Sequence, residues 1–250
     1  MKTLQTYDNI LLSLKKEDYA PIYLLCGTEP YYIDLLNNWF ENNIISQKAA
    51  GTDKNIIYGG DVINTDIAHI VNLAKTFPMM GKRRLILLKD AQKIKKWEAL
   101  TTYSKNPTHT TILVLSFRDS IPDKRLSLWK DFESGGNVWM QSEKIKNDAK
   151  LEEWTRNHLI ARIKTFNETH PQRNDVVLDP KVPQLLTSYI GNDLQGIANA
   201  CDKLILGLPL DENQVNANLV ERNIGLSKDF NVFELQDALF QKDVTKANLS

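Results

Sequence analysis

No sign of charge predominates in these 250 residues: 31 Lys and Arg stand against 31 Asp and Glu. A protein that grips nucleic acid alone carries a basic excess, because neutralised phosphates supply much of the affinity. Autonomous DNA binding is therefore not expected. Cysteine is scarce as well. Cys26 and Cys201 are the two, far apart and each set among apolar residues. That pattern excludes a disulfide framework and a cysteine zinc site, and predicts two buried, reduced thiols. No apolar run approaches the length of a membrane span. Thr3 to Lys16 is polar and amphipathic, without the apolar centre of a signal peptide. A cytoplasmic protein that does not enter membranes is the expectation. Internal repeats and low-complexity tracts are also missing.

What is present is an ordinary globular composition, 25% charged and 42% apolar. The length suits two domains and part of a third. In the first half, short β-rich runs alternate with helical patterns. Candidate strands lie at residues 22–26, 56–58, 85–88, 111–117 and 138–140. They are near-continuous apolar runs without alternation, which predicts burial on both faces of a mostly parallel sheet. Strands alternating with helices make this a three-layer α/β domain, residues 1–142. One intervening stretch, Ile63, Ile67, Ile70, Val71 and Ala74, has the spacing of an amphipathic helix, with Asn64 or Thr65 placed to cap it.

After Ser142 helical periodicity takes over and no strand-like run is expected. Leu151, Trp154, Leu159, Ile163 and Phe166 mark one helix. Asp179-Pro180 reads as the start of a second. Leu194, Ile197, Ala198, Cys201, Leu204 and Ile205 stripe a third, ended by Gly207 and Pro209. A short helix near 212–222 completes a small helical domain, residues 143–226. A last helix from Asn231, with capping-box spacing, falls in a segment, 227–250, whose apolar face has no later partner. It is expected to be the start of a truncated third domain.

Chemistry is harder to find. The first strand ends in Gly27, which invites a search for a phosphate-binding loop. Such a loop needs several glycines, a lysine and a Ser or Thr. Here the turn reads Gly27-Thr28-Glu29-Pro30-Tyr31-Tyr32, with a carboxylate and a proline where phosphates would sit. The Gly81-Lys82 pair lacks the preceding glycine and is followed by arginine. Asp90 occupies the place of a Mg²⁺-binding acid but reads as a strand-end turn residue. His69, His109, His158 and His170 have no metal-ligand spacing and read as surface or capping residues. No nucleophile and base are marked. No catalytic, nucleotide-binding or metal site is expected, and no cofactor.

Three stretches together resemble the delta subunit of bacterial DNA polymerase III, the clamp loader delta family, in a form like that of the Bacteroidetes. The first is Tyr23-Leu24-Leu25-Cys26-Gly27-Thr28-Glu29-Pro30-Tyr31-Tyr32-Ile33-Asp34. The second is Thr76-Phe77-Pro78-Met79-Met80-Gly81-Lys82-Arg83-Arg84-Leu85-Ile86-Leu87-Leu88. The third comprises Ile190-Gly191-Asn192-Asp193-Leu194, Asp202-Lys203-Leu204 and Phe230-Asn231-Val232-Phe233-Glu234-Leu235. The resemblance implies an ATPase-like (AAA+/RecA-like) fold that has lost its phosphate loop, then a helical lid domain and the first helix of a collar domain. It implies a non-enzymatic subunit that binds the sliding clamp (beta) and stabilises its open form for loading onto primed DNA. Gamma/tau motor subunits and delta prime are the implied partners. Two alternatives stay open: another loader subunit, delta prime-like, and a nucleotide-dependent enzyme with a degenerate site. The motor and delta prime subunits typically carry a four-cysteine zinc site and a Ser-Arg-Cys motif, both missing here.

In that family a helix and the turn after it insert apolar residues into the clamp. Mapped here, the helix is 65–76 and the wedge is Phe77-Pro78-Met79-Met80, where the family commonly has Leu-Phe. Pro78 ends the helix and stiffens the turn, and Gly81 permits a tight exit. Two methionines beside a phenylalanine are hard to bury together on a short turn, and methionine suits adaptable binding surfaces. Met79 and Met80 are expected outside, while Phe77 can pack inward. The competing reading is that all three fill the protein's own core. The run from Lys82 to Lys105 holds eight cations against Asp90 and Glu98. Lys82, Arg83, Lys93, Lys95 and Lys96 are candidates for a DNA or partner contact, with Trp97 able to stack. The alternative is a solvated helix face.

Overall fold

The computed structural model describes residues 4–123 and 132–224. The chain divides into two units between Lys144 and Ile145.

The first unit opens with helix α1, Tyr7–Lys15, whose preceding Thr6 hydroxyl accepts the N–H of Asn9 at 3.3 Å. Strand β1, Ile22–Gly27, leads into α2, Pro30–Asn43, and a single turn, α3, Ala50–Asp53. Then follow β2 (Lys54–Tyr58), α4 (Ala68–Ala74), β3 (Arg84–Lys89), α5 (Glu98–Tyr103), β4 (Thr111–Arg118) and β5 (Val138–Ser142). The sheet order is β2-β3-β4-β1-β5, and every neighbouring pair is parallel. Successive strand residues point to opposite faces. Ile22, Leu24, Ile86, Leu88, Leu113 and Leu115 join Ile70, Val71 and Ala74 of α4 and Leu100 of α5. Tyr23, Leu25, Leu85, Leu87, Ile112 and Val114 join Leu14 of α1 and Ile33, Leu36 and Phe40 of α2. Both faces are covered, which is why the strands read as unbroken apolar runs. The expected three-layer α/β architecture is the one observed.

One expected helix is shorter than its periodicity suggested. Asn64 and Thr65 have φ of 54° and 50°, a left-handed conformation that a right-handed helix cannot contain. The chain makes a 3₁₀ turn at Ile63–Thr65, and α4 starts only at Ala68, whose N–H reaches Asp66 Oδ1 at 2.8 Å. Ile63, assigned to the apolar face, is exposed.

The second unit begins with α6, Asp148–Thr169, capped by Asn147 Oδ1 on the N–H of Lys150 at 2.9 Å. After it come β6 (Val177–Leu178), α7 (Val182–Ile190), α8 (Leu194–Leu206), β7 (Gln214–Val215) and α9 (Ala217–Ile224). Leu151, Leu159, Leu186, Leu194, Ile197, Cys201, Leu204, Leu219 and Val220 are buried in this unit. Three details depart from the sequence reading. The unit is not purely helical, since β6 and β7 pair in parallel. Asp179 Oδ1 caps a turn through the N–H of Lys181, so α7 starts at Val182 with Pro183 in its first turn. The helix expected at 212–222 starts at Ala217, where Asn216 Oδ1 accepts the N–H of Leu219. The helix expected from Asn231, and the whole of 227–250, lie outside the described residues.

Candidate functional site

Two turns of the first unit bear on function, at opposite ends of its parallel sheet. The first follows β1 at the C-terminal edge, where an ATPase of this architecture holds phosphate. Gly27 has φ +136°, and a Cβ there would lie 1.7 Å from the Ser142 carbonyl oxygen, so only glycine fits. Its N–H donates to Ser120 O at 2.8 Å, and the Glu29 N–H donates to Ser142 O at 3.2 Å. The buried Glu29 carboxylate accepts the N–H of Tyr31 at 3.0 Å. Three donors that a phosphate would need are thus satisfied by the protein itself, and a carboxylate stands at the start of α2. Asp90, after β3, is a turn residue with φ 55°.

The second turn joins α4 to β3 at the opposite edge. Helix α4 closes with the Thr76 N–H on Leu73 O, and Pro78 follows two residues later. Phe77, Met79 and Met80 are 75%, 75% and 68% exposed. Their backbone, by contrast, is tied down. Asp53, at the junction of α3 and β2, is fully buried. Its Oδ1 accepts the Met79 N–H at 2.6 Å, and its Oδ2 accepts those of Met80 and Gly81 at 2.8 and 2.7 Å. The Arg84 guanidinium, also buried, lies 3.8 Å from Asp53 Oδ1 and donates to Phe77 O at 3.1 Å. The Met79 N–H above all, with those of Met80 and Gly81 and the Arg84 charge, holds the Asp53 carboxyl below its ordinary range, while burial opposes them. Sequence reading missed Asp53, because its partners are backbone groups 26 to 28 residues on.

The cations do not form one patch. Lys82 is exposed beside the apolar turn. The Arg83 guanidinium is engaged, 5.0 Å over the Tyr19 ring and donating to His109 O at 3.2 Å. Lys93, Lys95 and Lys96 lie beyond the other end of β3, whose length separates the two groups by roughly 20 Å. Lys93 is 4.0 Å from the Asp90 carboxylate, while the Lys95 and Lys96 side chains are exposed. Trp97 is not a surface stacking platform. It is buried, stacked on Phe117 with ring centroids 5.5 Å apart, and its Nε1–H donates to Ile94 O. Burial of the indole and its internal hydrogen bond are the reason it is withdrawn from any ligand.

Among the described residues no group of three or more His, Cys, Asp or Glu is placed to hold a metal. His158 stacks on Trp154, and His170 Nδ1 lies 3.0 Å from Phe166 O. Cys26 and Cys201 are both buried, and neither forms a disulfide. No helix among the described residues is long and apolar enough to cross a membrane.

Residues 23–141 match the family model for the DNA polymerase III, delta subunit. The DNA polymerase III subunit delta of Bacillus subtilis (strain 168) is 24% identical over 245 residues, which covers 94% of this chain and 65% of that protein. The chain therefore spans slightly less than two thirds of the length of this curated relative. A solved structure of the Bacillus subtilis DNA clamp loader delta protein superposes with a TM-score of 0.65 at 20% identity, over 98% of this chain and 70% of that one. That likeness shows a shared fold. The sheet domain thus matches the family model, and most of the chain's length is similar to the Bacillus subtilis delta subunit.

Proposed function

We propose that this chain acts as the delta subunit of a bacterial clamp loader and that the turn Phe77-Pro78-Met79-Met80 is its contact with the sliding clamp. The observation that carries this reading is the turn itself: three large apolar side chains held side by side in solvent on a fixed backbone. Exposed apolar clusters mark interaction sites. Two such anchors fully buried in a pocket contribute about 3–6 kcal/mol, against roughly 8 kcal/mol for a micromolar complex. Lys82 would sit at the rim of that contact.

In this role the subunit has no nucleotide chemistry of its own, in keeping with the satisfied donors around Gly27 and Glu29. Motor subunits of the gamma/tau type and a delta prime subunit would supply ATP hydrolysis and control access to the turn. The first unit would be the clamp-binding ATPase-like domain and the second the lid. Lys93, Lys95 and Lys96 are the cations proposed to face primed DNA or a neighbouring subunit. The test is direct binding to the sliding clamp of the same organism by surface plasmon resonance, with titration calorimetry against Mg·ATP as the companion measurement. Saturable clamp binding and no saturable heat with ATP are expected. Failure to bind the clamp, or a micromolar ATP affinity, would overturn the reading.

A further inference from the structure

The hydrogen bonds beneath the apolar turn assign it a second layer. We propose that Asp53 is a positioning residue for clamp binding: its buried carboxylate latches the backbone of residues 79–81 so that Met79 and Met80 are presented outward. This deepens the clamp-binding reading and rests on it.

Three consecutive N–H groups converging on one anion form the kind of concavity that elsewhere binds phosphate or other free anions. Here the anion is the protein's own side chain, delivered from α3, on the other side of the crossover. Arg84 completes the latch from the first position of β3. It lies beside Asp53 and takes the Phe77 carbonyl, so the turn is held at both ends. The two buried groups neutralise one another, and the carboxylate is satisfied by donors the turn alone can provide. A turn carrying Phe, Met and Met would otherwise fold its side chains back onto the nearest apolar surface. Fixing the N–H groups inward leaves the side chains no direction but solvent. Binding to a clamp then orders less of the chain, which is how preorganisation raises affinity. Gly81 is part of the same device: a Cβ there would stand 3.3 Å from Asp53 Oδ2 and 3.3 Å from Arg83 O, tight enough to loosen the latch.

A thermodynamic cycle on the full chain tests this, with the sliding clamp as ligand. Asp53→Asn keeps the shape but turns an acceptor into a donor facing N–H groups. It is expected to weaken clamp binding by about tenfold or more and to speed hydrogen exchange at the amides of residues 79–81. Exchange in β1, β3 and β4 should be unchanged. In a Met79→Ala/Met80→Ala background the same substitution should cause much less further loss, since the two side chains that the latch presents are gone. Gly81→Ala, which leaves Asp53 and Arg84 in place, should show the same pattern more mildly and carries the test where Asp53→Asn does not fold. Wild-type affinity beside freed amides overturns the inference alone, as does an equal loss with and without the methionines. Unchanged affinity in Met79→Ala/Met80→Ala removes the clamp-binding reading, and the inference with it.

Discussion

Asp53 sits in a polar stretch, Thr52-Asp53-Lys54, with nothing in its sequence surroundings to set it apart. Only folding shows that it is buried under the apolar turn. Its titration makes a sharp prediction. The folded carboxyl is held below the ordinary value of 3.8, so its contribution is present above that value and lost as pH falls through the lower, folded one. The latch should therefore survive mildly acidic conditions and open only in stronger acid. Following the carboxyl carbon of Asp53 by NMR should give a midpoint below 3.8; a midpoint above it would show the hydrogen bonds do not favour the charged form. Trp97 teaches a related lesson in reverse. Placed after Lys95 and Lys96 it reads as an exposed partner for a base, yet it closes the core against Phe117. A run of lysines says where the surface is, but an aromatic next to it need not share that surface.

At the scale of elements, β1, β3 and β4 could be read directly, because burial on both faces leaves long apolar runs, while the partly buried edge strands β2 and β5 extend beyond the 56–58 and 138–140 expected. The pieces that escaped are those whose signal is too short or is overridden. Strands β6 and β7 have two residues each, fewer than any periodicity can mark. Helix α4 loses its expected first turn because Asn64 and Thr65 adopt left-handed backbone, where apolar spacing carries no information. The turn after β1 is the element most exposed to a single substitution. Gly27→Ala would place a methyl group against the Ser142 carbonyl at a φ that side chains rarely adopt. A loss of about 3 kcal/mol or more is expected in chemical denaturation, from strain and disrupted β1–β5 pairing together. A change within about 0.5 kcal/mol would mean that the junction yields far more easily than its contacts indicate.

At the scale of the first unit, two turns of different character lie at opposite edges of one parallel sheet. The edge that would hold nucleotide is closed by its own backbone and by Glu29, while the opposite edge of the same sheet presents the apolar turn. The backbone of that turn is tied to the sheet domain through Asp53 and Arg84. The central claim is that Met79 and Met80 are anchors for a partner and not part of the fold. The most direct measurement is clamp affinity and unfolding stability on the same Met79→Ala/Met80→Ala variant. The account predicts a loss of about 2–5 kcal/mol in clamp binding, as for interface hot spots, with stability within about 0.5 kcal/mol of the parent. Undiminished clamp affinity, beside a stability loss of about 2–5 kcal/mol for each truncation as in a packed core, would contradict it.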